Sequence, residues 1–134
     1  MDGVIARGRG LVAGIARGAV AASGAPVGVA RIDPSTGVLH EPGHPLDGRA
    51  LAGRVLVCPA GKGSSSGSYI LLNLARRGLA PAAIVVGRAD AVLIAGAVLG
   101  EIPLVHGVAA PDRQRLVDGL AVRVDGAEGT VAPQ

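Results

Sequence analysis

One tyrosine is the whole aromatic inventory of this 134-residue chain, which contains neither Phe nor Trp. A domain of this length normally fills much of its core with large rings. Here Ala, Val, Leu and Ile must do that work, and apolar residues make up 49% of the sequence. Short side chains bring backbones close together, so the sequence calls for tightly layered sheet and helix. The 22 glycines point the same way.

The order of elements can be read from the punctuation. Val4-Ile5-Ala6, Ala19-Val20-Ala21 and Gly28-Val29-Ala30-Arg31-Ile32 read as short strands between glycine turns. Asp33-Pro34-Ser35-Thr36-Gly37 is a loop, and the two prolines of Glu41-Pro42-Gly43-His44-Pro45 exclude a central strand there. Arg54 to Cys58 is a compact apolar run, read as a buried strand ending at Pro59. A helix follows, with Tyr69, Leu72, Leu74 and Ala75 as its apolar positions and Gly78 as its stop. Ala82 to Val86 is a second buried strand, Asp90 an N-cap, and Ala91 to Leu99 a second helix. Ile102 to Val105 is a third strand. This alternation predicts a parallel βαβαβ unit. The tail, Leu120 to Val124 and Gly129 to Val131 around Asp125-Gly126, reads as a hairpin, with Ala132-Pro133-Gln134 fraying. The expectation is one α/β domain over residues 1–134, of β/β/α type: a small parallel core flanked by glycine-rich strands.

Several function classes fall away. The net charge is +3, carried mostly by scattered Arg, and there is no aromatic platform for stacking on bases, so a nucleic-acid binder is not expected. One cysteine, Cys58, cannot make an internal disulfide, a zinc site of thiolates or an iron–sulfur cluster. Neither His40, His44 and His106 nor their spacing matches a zinc pattern; loop or surface positions are expected for them. Asp33, Glu41, Asp47 and Asp90 read as turn, cap and surface acids, and Tyr69 as core. Met1-Asp2-Gly3 opens no apolar signal segment, and no apolar run reaches membrane-spanning length, so a soluble, cytoplasmic protein is expected.

The chemistry concentrates in Gly61-Lys62-Gly63-Ser64-Ser65-Ser66-Gly67-Ser68, between a buried strand and a helix. Glycines admit close approach of a ligand, serines supply hydroxyls, and the helix start supplies unpaired N–H groups and a positive dipole end. Lys62 adds a formal charge. The combination suits a small anion such as a carboxylate or phosphate. It is not a nucleotide P-loop: Lys62 is followed by Gly63, and Leu56 stands where the first glycine should be. The dinucleotide glycine fingerprint also fails.

This segment with Tyr69 resembles the core motif of the aconitase X small subunit, or swivel domain. The resemblance extends to Asp33-Pro34 with Thr36-Gly37, Glu41 with Gly43-His44, Gly53 to Val57, Ala75 to Gly78, Ala80 to Ile84, Ile102 to Val105, and Val122 to Gly126 with Gly129. Cys58 and His106 depart from it, where an apolar residue and an acid are expected. The resemblance implies a swivelling β/β/α domain and a hydro-lyase active only with a large subunit. It implies Ser64 as the base that removes the substrate proton, with Ser65 beside it on a substrate carboxylate. Gly61, Lys62, Gly63, Ser66 and Ser68 complete the implied binding loop. The wider superfamily motif, Gly-x-Gly-Ser-Ser-Arg, has Ser66 here in place of Arg. The Lewis acid of the family is an iron–sulfur cluster, which the resemblance assigns to the large subunit, with none bound by this chain. The substrates implied are small anionic hydroxy acids, cis-3-hydroxy-L-proline or mevalonate 5-phosphate. Two rival readings remain. A phosphohistidine-type swivel domain needs a His beside its loop, and none lies between His44 and His106. A non-catalytic scaffold of the same fold has no need of the Gly-Ser loop.

Overall fold

The computed structural model describes residues 3–134; Met1 and Asp2, the start of the segment read against a signal peptide, lie outside the described residues. The strands are β1 (Ala6–Arg7), β2 (Arg9–Val12), β3 (Ile15–Ala22), β4 (Val55–Ala60), β5 (Ala83–Arg88), β6 (Leu104–His106), β7 (Ala121–Asp125) and β8 (Thr130–Pro133). The helices are α1 (Gly67–Arg76), α2 (Ala91–Gly100) and α3 (Ala110–Arg115). The sheet runs β1-β8-β7-β3-β4-β5-β6-β2. β1 and β2 stand at its two ends yet are separated in sequence only by Gly8. One stretch of chain therefore joins both edges and closes the sheet into a barrel. Close approach explains the glycines at this seam. A Cβ on Gly8 would strike the His106 carbonyl, and one on Gly10 the Gly126 carbonyl.

β4, β5 and β6 pair in parallel, in the order set by the β4-α1-β5-α2-β6 succession, as the sequence predicts, and β3 joins them in parallel beside β4. β7 and β8 form the expected antiparallel hairpin, with Asp125 opposite Thr130. Residues alternate between the two faces of the sheet. Val20, Val55, Val57, Ala83, Val85, Val105, Val122, Val124 and Val131 belong to one apolar cluster. Ala21, Leu56, Cys58, Ile84, Val86 and Leu104 belong to a second, with Leu71 and Leu74 of α1 and Leu93 and Ala97 of α2. The first fills the barrel and the second the layer beneath the helices. A ring of valines and alanines fills so narrow a barrel, which is why the chain needs no large aromatic core.

Four expectations are corrected. Gly28 to Ile32 is no strand: Val29–Arg31 is a 3-10 turn, with Arg31 N–H donating to the Gly28 carbonyl. Its buried residues, Val29 and Ile32, are three apart, which is a helical spacing. The strand at Arg54 to Cys58 passes through Pro59 to Ala60; Pro59 lies beyond Val57, the last β4 residue paired with β3. The tail does not fray, because Ala132 pairs with Arg123 and Pro133 with Val122. Tyr69 is 68% exposed. α1 buries Gly67, Leu71 and Leu74, and Tyr69 falls on the opposite side of the helix.

Candidate active site

The segment 61–66 leaves the carboxyl end of β4 and enters α1, where open α/β sheets place their ligands. Its entry is fixed by backbone. Gly61 bridges Val27 in parallel, and Val27 N–H donates to the Ala60 carbonyl at 3.0 Å. Its exit is fixed by packing. A Cβ on Gly67 would lie 2.9 Å from Val29 Cγ2 and 3.2 Å from Val92 Cγ1, so α1 begins wedged between the 3-10 turn and α2. Between these anchors Lys62, Gly63, Ser64, Ser65 and Ser66 are exposed, while Ser68 is half-buried.

The turn is held by Gly67 N–H on the Ser64 carbonyl at 3.0 Å, and the hydroxyls of Ser64 and Ser66 lie 3.2 Å apart. Ser66 occupies the N-cap of α1, but in helical conformation and with no side-chain bond to the helix. α2 differs: the Asp90 carboxylate accepts from Leu93 N–H at 2.9 Å and caps its own helix. Gly67 N–H is spent on the Ser64 carbonyl, but no side chain caps α1, so the next N–H groups of its first turn, those of Ser68 and Tyr69, are left for an outside acceptor. The structure brings Gly61, Lys62, Gly63 and Ser64 together around a small depression with Asp90. A wider groove of about 310 Å³ is lined by Ala60, Gly61, Lys62, Gly63, Arg88 and Asp90. Another depression, of about 360 Å³, lies beside Arg113 of α3 and includes no residue of the loop.

Two features escape a sequence reading. Arg88, at the end of β5, is exposed and faces the groove because it pairs with Ala60. Glu41 is not a surface acid: it is 8% exposed, the one buried charged residue among those described. Lys62 Nζ lies 2.5 Å from its Oε2, and Gly28 N–H donates to its Oε1 at 3.0 Å. Burial pushes the Glu41 pKa up, but Lys62 and the Gly28 N–H outweigh it, so the carboxyl stays below its ordinary value. Only the Lys following a loop glycine and the Glu-Pro-Gly-His segment hinted at a contact. Of the other acids, Asp33 holds the Ser35 turn and Asp47 accepts from Glu41 N–H at 2.8 Å, as turn residues do.

His40 and His44 lie in loops, as expected, and only His106 does not. His44 Nδ1 accepts from Leu46 N–H at 3.0 Å, which leaves Nε2 to donate to the Pro26 carbonyl at 3.0 Å. His106 lies in β6 with a buried Nδ1. The donor set does not fit an iron–sulfur cluster. Cys58 is buried among apolar side chains, and burial pushes its thiol up to about 12, whereas a cluster requires thiolates. No three His, Cys, Asp or Glu among the described residues gather as metal ligands. No helix among them is long and apolar enough to cross a membrane.

A closed β-barrel with α1 and α2 packed together on one side and a Gly-Ser loop at a strand-to-helix turn defines a swivelling β/β/α domain. The chain belongs to the aconitase X swivel domain family, whose model matches residues 5–132. It is 40% identical over 126 residues to the phosphomevalonate dehydratase small subunit of Pyrococcus furiosus, covering 93% of this chain and 92% of that one. It is 55% identical over 90 residues to the subunit of the same name from Methanopyrus kandleri, covering 67% of this chain and 64% of that one. The fold matches the crystal structure of Thermococcus kodakaraensis aconitase X in its holo-form with a TM-score of 0.90 at 38% identity, over 96% of this chain and 97% of that one.

Proposed function

We propose that this chain is the small subunit of a phosphomevalonate dehydratase and carries the base of its active site. The observation that bears most weight is the uncapped first turn of α1 behind Ser64. A serine alkoxide is a strong base that water alone does not stabilise at neutral pH; backbone N–H groups at a helix start lower that cost. Ser64 takes the proton from the carbon next to the substrate carboxylate, and Ser65 with Ser66 and Ser68 bonds to that carboxylate. Lys62 and the loop glycines shape the groove. Arg88 stands ready as the cation that the Ser66 position no longer supplies. An iron–sulfur cluster on the large subunit would provide the Lewis acidity that lets the hydroxyl leave. The names of the relatives favour mevalonate 5-phosphate over cis-3-hydroxy-L-proline as substrate. The reading of residues 1–134 as a single swivel domain fits a family match from 5 to 132.

Co-expression with an aconitase X large subunit and anaerobic purification test the reading. The two chains should co-purify, the complex should dehydrate mevalonate 5-phosphate, and this chain without its partner should do neither that nor hold iron and sulfide in stoichiometric amount. Full activity in the large chain without this one would sink the proposal.

A further inference from the structure

We propose that Glu41 is a positioning residue of the active loop, acting through Lys62, which serves as a strut and not as the substrate's cation. This rests on the dehydratase reading and adds a residue to it.

The loop has little else to hold its middle. Gly61 is bridged to Val27, but Gly63 turns with φ at +69° and a Cβ there would touch nothing within 4 Å. Lys62, between the two glycines, is the side chain that can fasten this stretch to the body of the domain. Its ammonium meets Glu41 Oε2, while Glu41 Oε1 takes the Gly28 N–H, one residue beyond the Val27 bridge. Gly28 is where the three parts meet: a Cβ there would lie 3.1 Å from Glu41 Oε1 and 3.5 Å from Lys62 Cδ.

The carboxylate itself is held firmly. Glu41 N–H donates to Asp47 Oδ1, His44 N–H to the Glu41 carbonyl at 2.9 Å, and the His44 ring to Pro26. A buried carboxylate is costly without a partner, so the fold has reason to keep Lys62 on Glu41. The half-exposed Lys62 stem lacks other fastening and would swing free without it. Because the ion pair is locally neutral, Lys62 offers little net charge to a substrate. Its effect is to hold Gly63 and Ser64 where the proton is taken. Misplacement of a reacting group by an ångström lowers turnover more than it lowers binding.

The test compares Glu41→Gln, Lys62→Met, the double variant and Lys62→Arg in the reconstituted complex with mevalonate 5-phosphate, with thermal unfolding in parallel. Each single variant should lower kcat about tenfold or more, with KM within about twofold of wild type. The double variant should be no worse than the poorer single one, because both break one strut. Lys62→Arg, which keeps the pair, should recover most of kcat. A large rise in KM for Lys62→Met with Glu41→Gln silent would make the ammonium a direct substrate contact and overturn the proposal. Multiplying kcat losses, or four variants like wild type, would overturn it too. If Glu41→Gln does not fold, Lys62→Met and the double variant decide by the same split, since the glutamine carbonyl can still take the Gly28 N–H. If the wild-type complex fails to turn over, the dehydratase reading falls. The strut is then judged on the full-length chain labelled with 15N: amide resonances of Gly63 to Ser66 move in Lys62→Met and in the double variant, and unmoved resonances refute it.

Discussion

Ser64 and Ser65 sit side by side in one turn, yet they are assigned different work, and kinetics can separate them. Ser64→Ala removes the proposed base and should lower kcat by on the order of a hundredfold or more in the reconstituted complex. Ser65→Ala removes the proposed hydrogen bond to the substrate and should act chiefly on KM. Arg115→Ala, which disturbs an exposed pair with Asp112, is the control and should change neither. Near-normal turnover in Ser64→Ala, with loss in Ser65→Ala or Ser66→Ala, would shift the assignment along the loop. The place of the loop was legible in the sequence because a glycine and serine run stands out between a buried strand and a helix. Glu41 was not legible. An acid beside Pro42 and Gly43 looks like a turn residue, and only the tertiary approach of Lys62 and Gly28 turns it into a buried ion pair. Tyr69 misled for the opposite reason: a lone ring in an apolar sequence suggests core, but the helix phase set by Leu71 and Leu74 leaves it outside.

Among the elements, α1 carries the largest burden. Its N-terminus forms the back of the proposed site, and its position depends on there being no side chain at Gly67. Gly67→Ala would press on Val29 and Val92 and displace the first turn. The expected cost is about 1–3 kcal/mol of stability, the scale of overpacking, with a disproportionate loss of kcat. Chemical denaturation of the free chain and kinetics of the complex measure the two; an unchanged kcat would show that the turn tolerates the shift. The βαβαβ unit and the terminal hairpin were readable because apolar runs, caps and turns agree there. Asp90 does cap α2, and Gly78, at φ +70°, does follow α1. Short elements were not readable. α3 announces itself only by Pro111 at its start and Arg113 and Arg115 at its end, and β2 has four residues broken by Gly10. Elements of that length are made by their neighbours, not by their own periodicity.

For the whole molecule, three carboxylates held below their ordinary values set the response to acid: Glu41, Asp118 and Asp33, the last by its bonds to Ser35. Asp118 accepts from Ala22 N–H, is partly desolvated, and pairs with Arg49; the first and last of these hold its pKa below the ordinary aspartate value. Glu41 is likewise held low. A lowered pKa in the folded state means that the native protein binds fewer of these protons than the unfolded chain. The stability they contribute is therefore complete at neutral pH and is lost as pH falls through the ordinary carboxylate range toward the lower folded values. Tm should be flat down to about pH 5 and then decline. Asp118→Asn should lower Tm at neutral pH and make the decline shallower. An unchanged slope in that variant would remove Asp118 from the account.

The seam at Gly8 has a consequence in time as well as in space. β1 pairs with β8, so Ala6 meets Val131, while β2 pairs with β6, so Gly10 meets Val105. β1 must therefore wait for β8 before its edge is covered, whereas β2 needs only β6. Such long loops are closed late and slowly, and an incomplete chain presents bare strand edges to its neighbours. Until synthesis passes Val131, the nascent barrel is an open sheet with the edges of β1 and β7 bare.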